Sequence, residues 1–315
     1  MITKFAFEKT RGLLIAALFV FVFFFGVSVY AADKPIALSK YPTLKFGFTS
    51  QNLAKWLPNS VDNLKTVIDF AKKSGFSFIE LRDANAGLSY DDCKIIAAYA
   101  KKKKIEVIYA MGFGPLDSNY FELFSKGFAN TMLFNGPKFA RTAVAGKEFS
   151  DTTKKYWTAA EFATLVQNLN QAGNTAKLFG YTLGIENAFE GVKGDGSTTF
   201  GDADLFGANG VNSNVGFQVD TGNFFCVSRE NNSASDVKAF MEANGKRLVY
   251  CHLKSSVDKK TMKIFSGNDV PFDVFFDLFA KNGGGYIALE LAGGDSLEDT
   301  MANHKKSIEY LKKNF

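Results

Sequence analysis

The nine residues at 215–223, VGFQVDTGN, are an apolar strand that stops on a carboxylate and then turns. The same pattern recurs upstream in LGIE (183–186) and downstream in LVYCH (248–252) and YIALE (286–290), each a short apolar run ending in a metal-ligand residue type. Glu186, Asp220, His252 and Glu290 therefore follow one another at intervals of 34, 32 and 38 residues. One strand-plus-helix unit consumes ~30 residues or more, so four consecutive strands would carry Glu, Asp, His and Glu to one end of one sheet.

The rest of the chain repeats the unit. Apolar periodicity places strands at 44–49, 76–80, 105–110, 139–144, 182–186, 215–220, 248–252 and 286–290. Helices are expected at 61–73, 89–100, 118–128, 158–179, 235–243, 271–281 and 296–313, with a short one at 202–206. Ser89 with Asp92, Thr158 with Glu161 and Ser296 with Asp299 read as capping boxes. Eight alternating strands and helices predict an α/β (β/α)8 TIM barrel, with a doubly wound open sheet as the alternative. The ligand-ending strands favour the barrel, because side chains at successive strand ends converge on a barrel axis but spread along an open edge. Alternation by two then turns Gly184, Gln218, Tyr250 and Ala288 inward and Cys251 outward, into the helix layer. The irregular stretch 191–214 leaves a ligand-bearing strand end and reads as a substrate-covering loop.

Before the first strand, Lys4, Lys9 and Arg11 precede an apolar run at 12–29 and a Val29-Tyr30-Ala31 site. This predicts a signal peptide at 1–31 and a periplasmic or secreted protein. An uncleaved anchor is the rival, since ~18 apolar residues is the lower limit for spanning a bilayer. Cleavage leaves 284 residues: an extended lead-in at 32–43 and a single domain at 44–315. That length suits one barrel of ~250 residues with its loops. The net charge of +5 falls to about +3 without the leader, too weak and too dispersed for a nucleic-acid partner. Three cysteines make no disulfide framework. No membrane contact is expected after cleavage, and a homo-oligomer is left open.

One imidazole and three carboxylates form a mostly hard donor set, suited first to Mn²⁺ or Mg²⁺, with Co²⁺ or Zn²⁺ also admissible. Such an ion could take two neighbouring oxygens of a sugar and stabilise an enediolate. A carboxylate on each side could remove and return the proton. A lone acid after a strand is commonly a helix cap, but capping does not place four ligand types on successive strands. Glu80 and Arg82 could hydrogen-bond a substrate hydroxyl or simply pair with each other, and Lys254 could face the barrel mouth. Trp56, Phe113 and Phe189 could wall a sugar site, although core packing is the default in a chain with 34 Phe.

The motifs GIEN (184–187), QVDTGN (218–223) and HLK (252–254), and the block at 267–272 leading into GGGYIALEL (283–291), resemble one known family. It is the sugar phosphate isomerase/epimerase family of the xylose-isomerase-like barrel superfamily, which includes the ketose 3-epimerases. The similarity runs from Leu44 to the C-terminal helix. It implies a divalent metal on Glu186, Asp220, His252 and Glu290, with the two glutamates as the acid/base pair. The substrate-binding candidates are Glu80, Arg82, Asn187, Asn223 and Lys254. Asn223 stands where relatives commonly have His, Ser255 where an acid is frequent, and Ala188 where His is common. Only two histidines are present, which disfavours the multi-zinc abasic-site endonucleases and the classical xylose isomerases with an additional catalytic His. His304, beside Lys305 and Lys306, is expected on the surface. With no Gly-rich phosphate cradle after strands seven and eight, the expected activity is isomerisation or epimerisation of a free sugar or sugar derivative. A keto-sugar or keto-inositol lyase or dehydratase, and a carbohydrate-binding barrel without turnover, are the alternatives.

Overall fold

The computed structural model describes residues 34–84, 86–143, 156–187, 192, 194–225, 232–257, 260–265 and 270–315. The signal-peptide reading at 1–31, Ala188, Phe189 and residues 267–269 of the resembling block lie outside the described residues. Eight parallel strands close on themselves: β1 (Leu44–Thr49), β2 (Phe78–Asp83), β3 (Glu106–Met111), β4 (Phe139–Ala143), β5 (Thr182–Glu186), β6 (Val215–Asp220), β7 (Leu248–Leu253) and β8 (Gly285–Leu289). Each pairs with its sequence neighbours, and β8 returns to β1 with Phe46 opposite Ile287 and Phe48 opposite Leu289. The closed barrel leaves no edge, which decides against the open sheet.

Outside lie α1 (Val61–Lys73), α2 (Tyr90–Lys103), α3 (Tyr120–Thr131), α4 (Ala159–Leu178), the single turn α5 (Asp202–Leu205), α6 (Ala234–Ala243), α7 (Phe272–Lys281) and α8 (Leu297–Asn314). Ser60, Ser89, Thr158, Ser233 and Ser296 cap five of them by accepting a backbone N–H from the first turn, each worth ~1 kcal/mol. Strand two begins two residues later than its apolar run suggests. Phe76 belongs to the exit turn of α1, its N–H bonding to Ala71 O at 3.0 Å and its ring packing 4.9 Å from Phe48. The irregular stretch after β5 is anchored: Thr199–Phe200 pairs with Trp157–Thr158, and Phe200 stacks on Phe162 at 4.3 Å.

The barrel interior is filled by Phe78, Ile108, Phe139, Tyr250 and Ala288. Gly47 makes room for this layer, because a Cβ there would sit 2.7 Å from the Phe78 ring. Cys251 is free and buried among the residues between barrel and helices, as alternation with Tyr250 requires. The lead-in is tied down by Ile36 N–H to Gly75 O at 2.9 Å and Lys40 N–H to Phe315 O at 3.1 Å. Among the described residues no helix is long and apolar enough to cross a membrane.

His304 corrects the surface expectation. It is fully buried, with ring centroids 4.9 Å from Phe48 and 5.9 Å from Phe70. Adjacent helical residues point 100° apart, so Lys305 and Lys306 do not fix its direction. Ile308 and Leu311, both buried, lie four and seven residues on and mark its stripe. Burial pushes the His304 pKa down to about 4, whereas an unfolded His titrates near ~6.5. Its contribution to stability is therefore complete above pH ~6.5 and is lost as pH falls toward about 4, a total of about 3 kcal/mol. Denaturant titrations of His304→Gln and the unsubstituted protein between these pH values should show a shallower acid loss in the variant. Parallel curves would exclude His304 as the source.

Candidate metal centre

Strand register brings the four ligand-type residues together. Asp220 and His252 are direct partners across β6 and β7, Glu186 ends β5 opposite Gln218, and Glu290 follows β8 with its N–H on Leu253 O at 3.0 Å. Each has a donor atom within 4.8 Å of those of the other three. Nδ1 of His252 lies 2.8 Å from Glu186 Oε1, 2.7 Å from Glu290 Oε2 and 3.6 Å from Asp220 Oδ2. His252 and Asp220 are fully buried, while the two glutamates retain slight exposure toward the mouth.

Around this cluster runs a second ring. Glu80 reaches across the barrel from β2 and contacts His252 Nε2 at 2.6 Å. Arg141 on β4, fully buried, pairs with Glu186 and donates to Gln218 Oε1 at 3.1 Å and Met111 O at 3.0 Å. Lys254 stands 2.8 Å from Asp220 Oδ2 and 3.3 Å from Glu290 Oε1, and Arg82 sits at the rim 3.8 Å from Glu290 Oε1. Glu80 and Arg82 thus serve different partners. Glu80 is fully buried behind the imidazole, and only Arg82 reaches the mouth. Arg141 escaped the sequence reading. The available signal was parity: Phe139 faces the interior, so Arg141, two residues on, must do so as well.

Asn187 and Asn223 are turned toward the backbone. Asn187 accepts Asp220 N–H at 2.6 Å and donates to Asp220 O at 3.1 Å, bracketing that ligand residue. Asn223 donates to Asn187 O at 2.8 Å, gives its own N–H to Asp220 Oδ1 at 3.0 Å and accepts from Lys254 Nζ at 3.3 Å. Gly222 has a packing reason: a Cβ there would lie 2.7 Å from Cβ of Lys254, so only glycine lets the lysine stem cross toward the cluster. Phe113 is buried against Tyr120, and Trp56 is half-buried beneath Lys55.

Electrostatics set the charge states. Burial pushes Glu186 and Glu290 upward, but Arg141 and His252 for the first, and Lys254 and His252 for the second, outweigh it and hold both below the usual carboxylate range. Burial raises Asp220 despite Lys254. Burial opposes a charged His252, yet Glu80, Glu290 and Glu186 push its pKa well above the ordinary value. Four carboxylates (Glu80, Glu186, Asp220, Glu290) face three permanent cations (Arg82, Arg141, Lys254). The imidazolium of His252 makes up the fourth positive charge.

The donors fit a metal ion. Asp220 Oδ2, Glu290 Oε2 and His252 Nδ1 are buried without an aligned hydrogen bond, although Lys254 ion-pairs with the first and the other two lie 2.7 Å from one another. All three are turned into the same space. An oxygen-rich set with one imidazole would hold a divalent cation there and satisfy each orphan. Glu80 behind Nε2 would fix the tautomer that offers Nδ1, the usual support for a ligating histidine.

The sequence matches the xylose isomerase-like TIM barrel family over residues 68–314. The chain belongs to that family. No curated protein is similar enough in sequence to match. Among solved structures, a D-allulose 3-epimerase from Methylomonas sp. superposes with TM-score 0.62 at 16% identity, over 87% of this chain and 98% of that one. A xylose isomerase-like TIM barrel protein from Mycobacterium smegmatis in complex with magnesium gives 0.64 at 15%, over 86% and 97%. A 3-keto-D-glucoside 4-epimerase from E. coli gives 0.62 at 14%, over 86% and 99%. At these identities the likeness is one of fold.

Proposed function

We propose that this protein is an exported, divalent-metal-dependent isomerase or epimerase of a free keto-sugar or sugar derivative, working through an enediolate. The observation that carries the reading is the convergence of Glu186 and Glu290 on one ring nitrogen of His252, with Arg141 beside the first and Lys254, which also pairs with Asp220, beside the second. A bound divalent ion would polarise a sugar carbonyl and lower the cost of negative charge on the neighbouring oxygens. One of the two glutamates, ionised, removes the proton from the carbon beside the carbonyl, and the other, carrying a proton at that point, returns one from its own side of the cluster, so that Glu186 and Glu290 exchange protonation states in each turnover. Arg141 beside Glu186 and Lys254 beside Glu290 favour the ionised form, which is the form that accepts the proton. Arg82 at the rim supplies donors for a sugar hydroxyl. The epimerases among the structural neighbours act on sugars of this kind, D-allulose and a 3-keto-glucoside.

The test is turnover by Mn²⁺- or Mg²⁺-loaded protein of a panel of ketoses and 3-keto-glycosides in D₂O. An isomerase or epimerase gives conversion with deuterium at the carbon beside the carbonyl. Loss of a leaving group would replace it by the lyase reading, and metal-dependent binding without conversion by the binding one. Metal content is a separate prediction: Asp220→Asn and His252→Ala should each lower Mn²⁺ occupancy strongly while remaining folded, and full occupancy in both variants would exclude the site. Export stands on the leader sequence, and N-terminal sequencing that returned residues before Gly12 would refute it.

A further inference from the structure

We infer that Asn52 and His304 form a clamp that sets the position of Glu290 from outside the barrel; its consequence for catalysis rests on the reading of Glu290 as a proton-transferring base. Glu290 is the first residue beyond β8, where the ladder to β1 has just ended at Phe48 opposite Leu289. After Thr49 the chain turns into the short helical segment Ser50–Leu53 and can no longer pair with the residues beyond β8. On that side the backbone flanking Glu290 would have no strand to bond.

The side chain of Asn52 takes the missing strand's place. Its Nδ2 donates to Leu289 O at 3.0 Å and its Oδ1 accepts Leu291 N–H at 3.2 Å. One amide thereby reproduces the donor and acceptor of a neighbouring peptide and bridges the two residues on either side of Glu290. The other side is held by Glu290 N–H to Leu253 O. Asn187 does the same to Asp220, so two ligand-bearing residues are each held by a side-chain amide beyond the end of the regular ladder.

What orients Asn52 is His304. The second Nδ2 hydrogen faces His304 Nε2 at 2.9 Å, and His304 Nδ1 faces Thr300 O at 2.8 Å. A carbonyl oxygen only accepts, so Nδ1 carries the proton and Nε2 must be the acceptor for Asn52. The neutral tautomer is thus specified from both ends, inside a wall formed by Phe48, Phe70 and Phe76. A flipped Asn52 amide would set oxygen against Leu289 O and Nδ2 against Leu291 N–H, and would lose the bond to His304. The line of contacts runs from α8 through Asn52 to the two residues that flank the one bearing the carboxylate.

The bland reading is a buried polar pair that only satisfies itself. Two readouts separate it from a clamp: amide hydrogen exchange at Leu291 and Mn²⁺ affinity, compared in Asn52→Ala, His304→Leu, His304→Gln and the control Asn130→Ala. Asn130 is a buried amide bonded to Leu88 O and the Tyr109 hydroxyl, away from the cluster. Asn52→Ala and His304→Leu should speed Leu291 exchange and weaken Mn²⁺ binding by about 10–100-fold, the range for outer partners of metal ligands. In His304→Gln, whose amide can both donate to Thr300 O and accept from Asn52, both values should return toward those of the unsubstituted protein. Asn130→Ala should lower stability and leave both unchanged. If Asn52→Ala behaves like Asn130→Ala, the clamp is refuted. If the clamp variants shift Mn²⁺ affinity but no keto-sugar is ever converted, the clamp stands and the catalytic reading falls. If the unsubstituted protein binds no Mn²⁺, Leu291 exchange alone decides.

Discussion

Glu186→Gln and Glu290→Gln should each reduce solvent deuterium uptake into a converted keto-sugar by the ~10²–10⁴-fold typical of general acid–base catalysis. Each change keeps an oxygen in place and removes the base. The two carboxylates approach His252 Nδ1 from neighbouring directions, 2.8 and 2.7 Å away, so neither can be substituted by the other without moving across the cluster. Their cations also differ: Arg141 holds Glu186, whereas Lys254 and Arg82 face Glu290. Glu186→Gln would leave Arg141 with one buried charge unanswered, while Glu290→Gln would leave Lys254 still paired to Asp220. The first variant should therefore lose stability as well as activity, and the second mostly activity. Metal content must be measured in both, since a variant without metal would be inactive for a different reason. If both variants keep full exchange with their metal intact, the glutamates are ligands only and the proton is moved by another group.

How much of this was legible before the fold depended on whether a signal was local. The ends of β5, β6 and β7 fell on Glu186, Asp220 and His252 or next to them because an apolar run followed by a ligand type is a contiguous pattern. Caps such as Thr158 with Glu161 are equally local, and the reciprocal box is present. Arg141 and the inward setting of Glu80 were implied by alternation, but a charged residue in the middle of a strand reads as solvent-facing until the barrel is closed around it. Asn52 and His304 carried no local mark. Their roles depend on β1 lying beside β8 and on α8 covering both, contacts between residues about 250 positions apart. Asn187 and Asn223 sit in motifs that suggest substrate contact, yet their amides are turned to the main chain at Asp220, which only the paired strands reveal.

Arg141→Met should destabilise the metal-free protein by ~3–5 kcal/mol, the cost of stripping one partner from a buried ion pair. The guanidinium is fully buried and serves three acceptors: Glu186, Gln218 Oε1 and Met111 O. Methionine replaces the apolar stem but strands all three acceptors, and the carboxylate dominates because it is charged and nearly as buried. Lysine keeps the charge but cannot present a planar fork to three acceptors, so Arg141→Lys should recover only part of the loss. The pH dependence identifies the cause. In the unsubstituted protein the Glu186 pKa is depressed, so its pairing contributes stability above the unfolded value of ~4.3 and loses it only as pH falls through the lower folded value. Without Arg141, burial is less opposed and the folded pKa rises, so protonation of Glu186 relieves the variant at a higher pH. The stability gap between the two proteins should accordingly narrow from pH 7 toward acid. Adding Glu186→Gln to Arg141→Met should recover a large share of the loss at neutral pH, because no buried charge is then left unpaired. A gap below ~1 kcal/mol at neutral pH, or one that stays constant with acidification, would show that Glu186 does not depend on Arg141 for its charge.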